Sequence, residues 1–211
     1  MGVKTRSFGR GFKFSVVLVV GALLAMWVLE LADLLFFGGA LDAYGIEPRS
    51  VEGLDGVLFA PLLHGGLSHL ASNTVPFTVL GLLVLLGGLR NFAVTTALSI
   101  LVGGLGVWLV GASDAVHIGS SGLVFGYFGY LLLRGYFSRS VGAILLAGLL
   151  VVLYGGALWG LLPLQTGISW TSHVFGFLGG ALSAYLLHRR GSRPADPLDR
   201  IIRTEPGLTR R

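Results

Sequence analysis

The sequence from 64 to 86 reads HGGLSHLASNTVPFTVLGLLVLL, and most of it is a run of apolar residues. A helix that crosses a membrane needs about 20 such residues, and Leu67–Leu86 supplies them. The same segment contains His69 and Asn73, whose side chains are costly to place in lipid. It therefore predicts a spanning helix whose polar residues serve a function.

The rest of the chain has the composition of a membrane protein. Its 211 residues are 54% hydrophobic and 12% charged, whereas soluble domains are about 25% charged. The 34 glycines favour close packing of membrane helices. The absence of cysteine excludes disulfides, thiolate metal sites and cysteine nucleophiles.

Six apolar stretches predict an all-α membrane protein built as a six-helix bundle. They divide the chain into a basic N-terminal segment (1–13), a membrane domain (14–188) and a basic tail (189–211) that we expect to be disordered. The predicted spans are Phe14–Phe37, Leu67–Leu86, Phe92–Val110, Ser121–Phe137, Val141–Trp159 and Trp170–Leu187.

The positive charges predict the orientation of this bundle. Lys and Arg near helix ends stay on the cytoplasmic side. In a six-helix arrangement, both chain ends, Arg90, Arg134 and Arg139 fall on one side, whereas the acidic residues before His64 fall on the other. Both termini are therefore expected in the cytoplasm. The net charge of +5 is explained by this distribution, so the expected surroundings are lipid and not nucleic acid.

Three polar positions fall at a similar depth in the bilayer. Counting back from the cytoplasmic arginines places His173 about 6 Å, Asn73 about 5 Å and Ser121 about 3–10 Å below the outer edge of the hydrocarbon. This agreement predicts that the three side chains belong to one site.

The run Gly119-Ser120-Ser121-Gly122 suits nucleophilic chemistry because it opens a helix. Backbone N–H groups at a helix start lack intrahelical partners and can bind an oxyanion. A serine needs a base to remove its proton, and a neutral histidine such as His173 performs that task near neutral pH. Glycines recur at helical spacing after both residues, so the two helices are expected to pack closely.

Three motifs in this order resemble the rhomboid family of intramembrane serine proteases, over about 58–185. They are His64-Gly-Gly-Leu-Ser-His69-Leu-Ala-Ser-Asn73, Gly119-Ser120-Ser121-Gly122 and His173-Val-Phe-Gly176. The resemblance implies a catalytic dyad of Ser121 and His173 without an acidic third member. It also implies an oxyanion site formed by the Ser121 N–H with Asn73 and His69, and cleavage of transmembrane protein substrates without a metal or other cofactor.

The resemblance further implies supporting roles for His64, Gly119, Gly122 and Gly176, and it has two departures. Phe125 stands where many members have a tyrosine, so it can stack on the histidine but cannot form a hydrogen bond. No Trp-Arg pair occurs in the first loop. A prokaryotic plasma membrane is the expected location, and the sequence leaves the oligomeric state open.

Other interpretations remain beside this one. A catalytically silent relative that binds transmembrane helices would share the fold, and a haem protein would use His69 and His173 as axial ligands. A zinc protease is disfavoured because no His-Glu-x-x-His motif occurs. His117 and His188 are expected to be ordinary solvated residues, and the loop 160–169 is expected to cap the site.

Overall fold

A computed structural model describes residues 4–138, 141–163 and 168–191, and within these ranges it contains helices and loops but no β-strand. The all-α expectation is confirmed. The helices are α1 (Lys4–Ala32), α2 (Gly56–Phe59), α3 (Leu67–Leu86), α4 (Leu89–Val110), α5 (Ser121–Ser138), α6 (Val141–Tyr154) and α7 (Trp170–Gly191). The predicted tail from 192 onward, Arg139 and the central part of the predicted cap loop lie outside the described residues.

Four helical segments in the described ranges are long and apolar enough to cross a membrane. They are Val16–Phe37, Leu67–Leu86, Leu89–Val110 and Val141–Leu161. The chain is therefore a membrane protein. The crossing of α5 and α7, and with it the six-span count and the cytoplasmic termini, remains a prediction, because glycines and polar residues lower the hydropathy of these two helices.

Two predicted helices differ in their last turns. The first, predicted over Phe14–Phe37, is an α-helix only to Ala32 and continues as a π-helix over Asp33–Phe37. The span Val141–Trp159 was expected as a continuous α-helix, but α6 ends at Tyr154 and the chain continues as a 3₁₀ helix over Gly155–Leu161. Two consecutive glycines begin this segment, and glycine is a poor former of α-helix. The change of helix type matters because it carries the backbone of Gly160 to the site described below.

The closest packing in the bundle joins α5 to α7. Glycines of the two helices meet, so that a Cβ atom added to Gly176 would overlap the carbonyl oxygen of Gly122. Small residues permit this approach of backbones, which larger side chains would prevent. Helix α4 packs against the same pair, with a buried hydrogen-bond contact of 3.0 Å between Thr95 Oγ1 and Ser183 Oγ.

The first loop is hydrogen-bonded to the C-terminal end of α4. The Arg49 N–H donates to the Trp108 carbonyl at 2.9 Å, and the Trp108 indole N–H donates to the Ser50 carbonyl at 2.6 Å. The Arg49 guanidinium also reaches the Ser113 hydroxyl. The first loop contains no Trp and Arg adjacent in sequence. An arginine of the loop and a tryptophan of α4 nevertheless connect the loop to the bundle.

Candidate active site

The structure brings Ser121 and His173 together. Ser121 is the first residue of α5, and His173 lies in the first turn of α7. The distance between His173 Nε2 and Ser121 Oγ is 2.9 Å, which is a hydrogen bond. The glycine contacts between α5 and α7 account for this proximity, because two helices with larger side chains at these positions would stand farther apart.

The other nitrogen of His173 is held by a backbone carbonyl. His173 Nδ1 lies 2.9 Å from the carbonyl oxygen of Gly160, in the 3₁₀ helix before α7. A carbonyl oxygen only accepts, so Nδ1 carries the proton and Nε2 presents its lone pair to the Ser121 hydroxyl. Gly160 therefore orients the imidazole as an acid does in a Ser-His-Asp triad. Sequence reasoning missed this contact, since a backbone carbonyl has no residue-type signal.

Phe125 covers one face of the imidazole. Its ring stacks on His173 with centroids 4.2 Å apart and an interplanar angle of 18°. Gly160 is also close to the ring, since a Cβ atom added there would lie 3.0 Å from His173 Nδ1 and 3.5 Å from the tip of Phe125. His173 as a whole is only 7% exposed. These contacts leave it little freedom to rotate away from Ser121.

The turn before α5 needs a glycine. Gly119 has φ +111°, a conformation that side chains rarely adopt, and a Cβ atom there would lie 2.7 Å from His69 Cε1. The absence of a side chain lets the His69 ring lie directly against the turn. Ser121 then begins a helix whose first N–H groups have no intrahelical acceptor.

His64 supports the same turn from the interior. It is 1% exposed, and its Nε2 lies 3.1 Å from Ser120 Oγ and 3.3 Å from Ser120 N. Ser120 is fully buried. The two adjacent serines therefore differ in surroundings: the hydroxyl of Ser120 contacts His64, whereas the hydroxyl of Ser121 contacts His173.

The two polar residues of α3 lie one helical turn apart. Asn73 is 7% exposed, and its side-chain N–H donates to the His69 carbonyl at 3.1 Å. The His69 ring is half-buried, and it makes an edge contact with the His64 ring at 5.1 Å between centroids. The side chain of His69 thus reaches the turn that precedes Ser121.

One expectation about the loop histidines is wrong. His117 was expected to be solvated, but it is 9% exposed and its Nδ1 lies 2.7 Å from Ser169 Oγ. Its Nε2 lies 3.1 Å from the Ala112 carbonyl oxygen. The prediction failed because the partner Ser169 is distant in sequence, so no local pattern marks the pair. His188, in contrast, is exposed and stacks on Phe137.

No group of His, Asp or Glu residues among those described is arranged to hold a metal ion. Two acidic side chains lie at the C-terminal end of α1. Glu30 and Asp33 are both buried, and an oxygen of Asp33 accepts the Leu41 N–H at 3.0 Å.

Several helices are apolar enough to cross a membrane, and two closely packed helices hold a serine–histidine pair between them. These two features define a class of helical membrane proteins. The chain belongs to the rhomboid family: the family model described as Rhomboid domain matches residues 52–190. The resemblance inferred from the three motifs is confirmed.

Relatives occur in several bacteria. An uncharacterized protein of Mycobacterium tuberculosis is 42% identical over 170 residues, which cover 77% of this chain and 70% of that protein. An uncharacterized protein of Mycobacterium leprae is 38% identical, covering 77% of this chain and 67% of its own length. YdcA of Bacillus subtilis, whose name assigns it provisionally to the rhomboid proteases, is 29% identical over 63% of this chain and 66% of its own.

Proposed function

We propose that this protein is an intramembrane serine endopeptidase in which Ser121 is the nucleophile and His173 is the general base. The observation that carries the proposal is the hydrogen bond of 2.9 Å between His173 Nε2 and Ser121 Oγ, with Nδ1 held at 2.9 Å by the Gly160 carbonyl. This arrangement supplies a base in the correct tautomer beside a hydroxyl at a helix start.

The chemistry follows from these contacts. Ser121 Oγ attacks the carbonyl carbon of a peptide bond while its proton passes to His173 Nε2, which then gives the proton to the leaving amine. A water molecule, activated by the same imidazole, releases the acyl group from Ser121. The negative charge on the carbonyl oxygen is stabilised by the Ser121 N–H with the side chains of Asn73 and His69.

The proposed substrates are transmembrane proteins, cleaved in a prokaryotic plasma membrane. A substrate helix must first unwind, since its carbonyl groups are otherwise occupied by internal hydrogen bonds. In this proposal both termini are cytoplasmic, and the cleavage site is reached from the outer half of the bilayer.

Two other functions are less well supported. A silent relative that only binds transmembrane helices would have no need of a histidine oriented towards a serine. A haem protein with His69 and His173 as axial ligands would leave the Ser121 hydroxyl, 2.9 Å from His173 Nε2, without a role.

The proposal is tested by reconstituting the full chain in liposomes with a single-span substrate. Ser121→Ala and His173→Ala should abolish cleavage and fluorophosphonate labelling. Two matched controls lie at the opposite ends of the same helices, where Ser138 and His188 are both exposed. Ser138→Ala and His188→Ala should cleave at the wild-type rate. Cleavage by Ser121→Ala would refute the mechanism.

A further inference from the structure

Two histidine–serine pairs join the same two segments of the chain. His117 and Ser121 lie four residues apart in the segment that enters α5, and Ser169 and His173 lie four residues apart in the segment that enters α7. His117 Nδ1 is 2.7 Å from Ser169 Oγ, and Ser121 Oγ is 2.9 Å from His173 Nε2. The proposed function uses only the second pair.

The first pair has a defined hydrogen-bonding direction. His117 Nε2 is 3.1 Å from the Ala112 carbonyl, which only accepts, so Nε2 carries the ring proton. His117 Nδ1 therefore accepts the proton of the Ser169 hydroxyl. That leaves the oxygen of Ser169 to accept the Ser172 N–H at 3.3 Å.

Ser169 lies directly before α7 and caps it. It precedes Trp170, the first residue of that helix, and a serine side chain that accepts the N–H three residues on is an N-cap. Its carbonyl also accepts the His173 N–H at 3.3 Å. Ser169, which contacts His117, is thus hydrogen-bonded to the backbone N–H of His173.

The ring of His117 performs this task separately from its backbone. The backbone N–H and carbonyl of His117 form two hydrogen bonds of 2.9 Å with Ile46 in the first loop. Substituting the side chain leaves these two bonds in place. Variants at this position therefore report on the two ring contacts, with Ser169 and with Ala112.

We propose that His117 is a positioning residue, which holds the first turn of α7 through Ser169 and so sets His173 in line with Ser121. The inference rests on the proposed function, since it concerns the geometry of that dyad. A displacement of about 1 Å in a catalytic group costs about 10²-fold in rate. Loss of this contact is expected to lower kcat about tenfold and to leave KM unchanged.

Two amide substitutions at His117 test the contacts of its two ring nitrogens separately. In His117→Asn the side-chain amide oxygen takes the place of Nδ1 and accepts the Ser169 hydroxyl proton, whereas in His117→Gln the amide nitrogen takes the place of Nε2 and keeps only the donation to the Ala112 carbonyl. His117→Asn should keep kcat within about threefold of the wild type. His117→Gln and His117→Ala should both lose about tenfold. Equal kcat values for His117→Asn and His117→Gln would overturn the proposal.

A double-mutant cycle tests the same contact from the other side. Ser169→Ala should lower kcat at least as much as His117→Gln, because it also removes the hydrogen bond to the Ser172 N–H and the contact with the Thr171 hydroxyl. The loss in the double variant should be smaller than the sum of the two single losses, because the contact between the two side chains is removed in both single variants. Fully additive losses would show that the two residues act independently, which contradicts the proposal.

Hydrogen exchange provides a measurement that does not depend on cleavage. The amides of Ser172 and His173 should exchange about fivefold faster in His117→Gln than in the wild type or His117→Asn, as expected for loss of one hydrogen bond. Unchanged exchange would overturn the inference whether or not the protein cleaves a substrate. The proposed function fails by a different result, namely cleavage that persists in Ser121→Ala.

Discussion

Gly122 and Gly176 meet backbone to backbone, with no room for a side chain between them. Gly122 follows Ser121, and Gly176 lies one turn after His173 on the same helix. The contact therefore sets the separation of α5 and α7 at the level of the proposed dyad. Packing of the bundle and chemistry of the site depend on the same pair of residues.

Gly176→Ala should damage both stability and activity. Its methyl group overlaps the Gly122 carbonyl oxygen, so the helices must move apart. Such overpacking costs about 1–3 kcal/mol, and cleavage should fall at least tenfold because His173 withdraws from Ser121. Thermal unfolding in detergent and the cleavage rate measure the two effects. Gly142→Ala is the matched control, since a Cβ atom there meets nothing within 4 Å; a similar loss in that variant would contradict the explanation.

Phe125 should contribute through its ring and not through a hydroxyl group. Phe125→Leu removes the stacking on His173, and contacts of this kind are worth about 0.5–1.5 kcal/mol. The value of kcat should fall about two- to tenfold, while Phe125→Tyr keeps the ring and should remain near the wild type. Steady-state cleavage kinetics of both variants make the comparison. Full activity in Phe125→Leu would show that the stacking has no part in orienting the imidazole.

Asn73→Ala should lower kcat about 10²–10³-fold with little change in KM, since the loss of one oxyanion donor has this effect. Asn91 offers a control of the same chemistry. Its side-chain N–H donates to the carbonyl four residues earlier at 2.8 Å, just as that of Asn73 donates to His69 at 3.1 Å. Asn91→Ala should cleave normally. If both variants lose activity equally, the effect belongs to helix stability and not to the oxyanion.

Replacement by alanine should have different effects at Ser120 and at Ser121. Ser120→Ala removes the buried contact with His64, which should lower the free energy of unfolding by about 1 kcal/mol. It should retain most of the cleavage activity and the fluorophosphonate labelling, because the hydroxyl beside His173 is that of Ser121. Labelling followed by mass spectrometry distinguishes the two positions. A labelled Ser120 in the wild type would overturn the assignment of the nucleophile.

Asp42 should make stability depend on pH. Burial and the nearby carboxylate of Asp33 raise the pKa of Asp42, and its Oδ1 is a buried atom without a hydrogen-bond partner among the described residues. A carboxyl with a raised folded-state pKa is protonated more readily in the folded than in the unfolded chain, so stability falls as pH rises through that pKa.

Asp42→Asn removes this ionisation, and the variant should therefore unfold about 1–3 °C higher than the wild type at neutral pH. The difference should shrink below the ordinary pKa of aspartate, where Asp42 is protonated in both states. Asp114→Asn, at an exposed position in the loop that follows α4, serves as the control. A difference that grows on acidification would contradict the prediction.

The sequence alone determined the class of fold and the identity of the central residues. Apolar runs of membrane-spanning length and a recurring glycine spacing are local patterns, so the helices and the close approach of α5 to α7 follow from them. The motifs around Asn73, Ser121 and His173 are local as well. They were sufficient to predict the family and the pairing of serine with histidine.

Only the tertiary structure showed which groups orient the imidazole of His173 and which residue holds the start of α7. The Gly160 carbonyl orients His173, but every residue has a carbonyl, so its position depends on the 3₁₀ turn and not on residue type. The contact between His117 and Ser169 joins residues 52 positions apart. Such a pair leaves no periodic signal in the sequence, because it forms only when two loops are brought together by the packing of the helices between them.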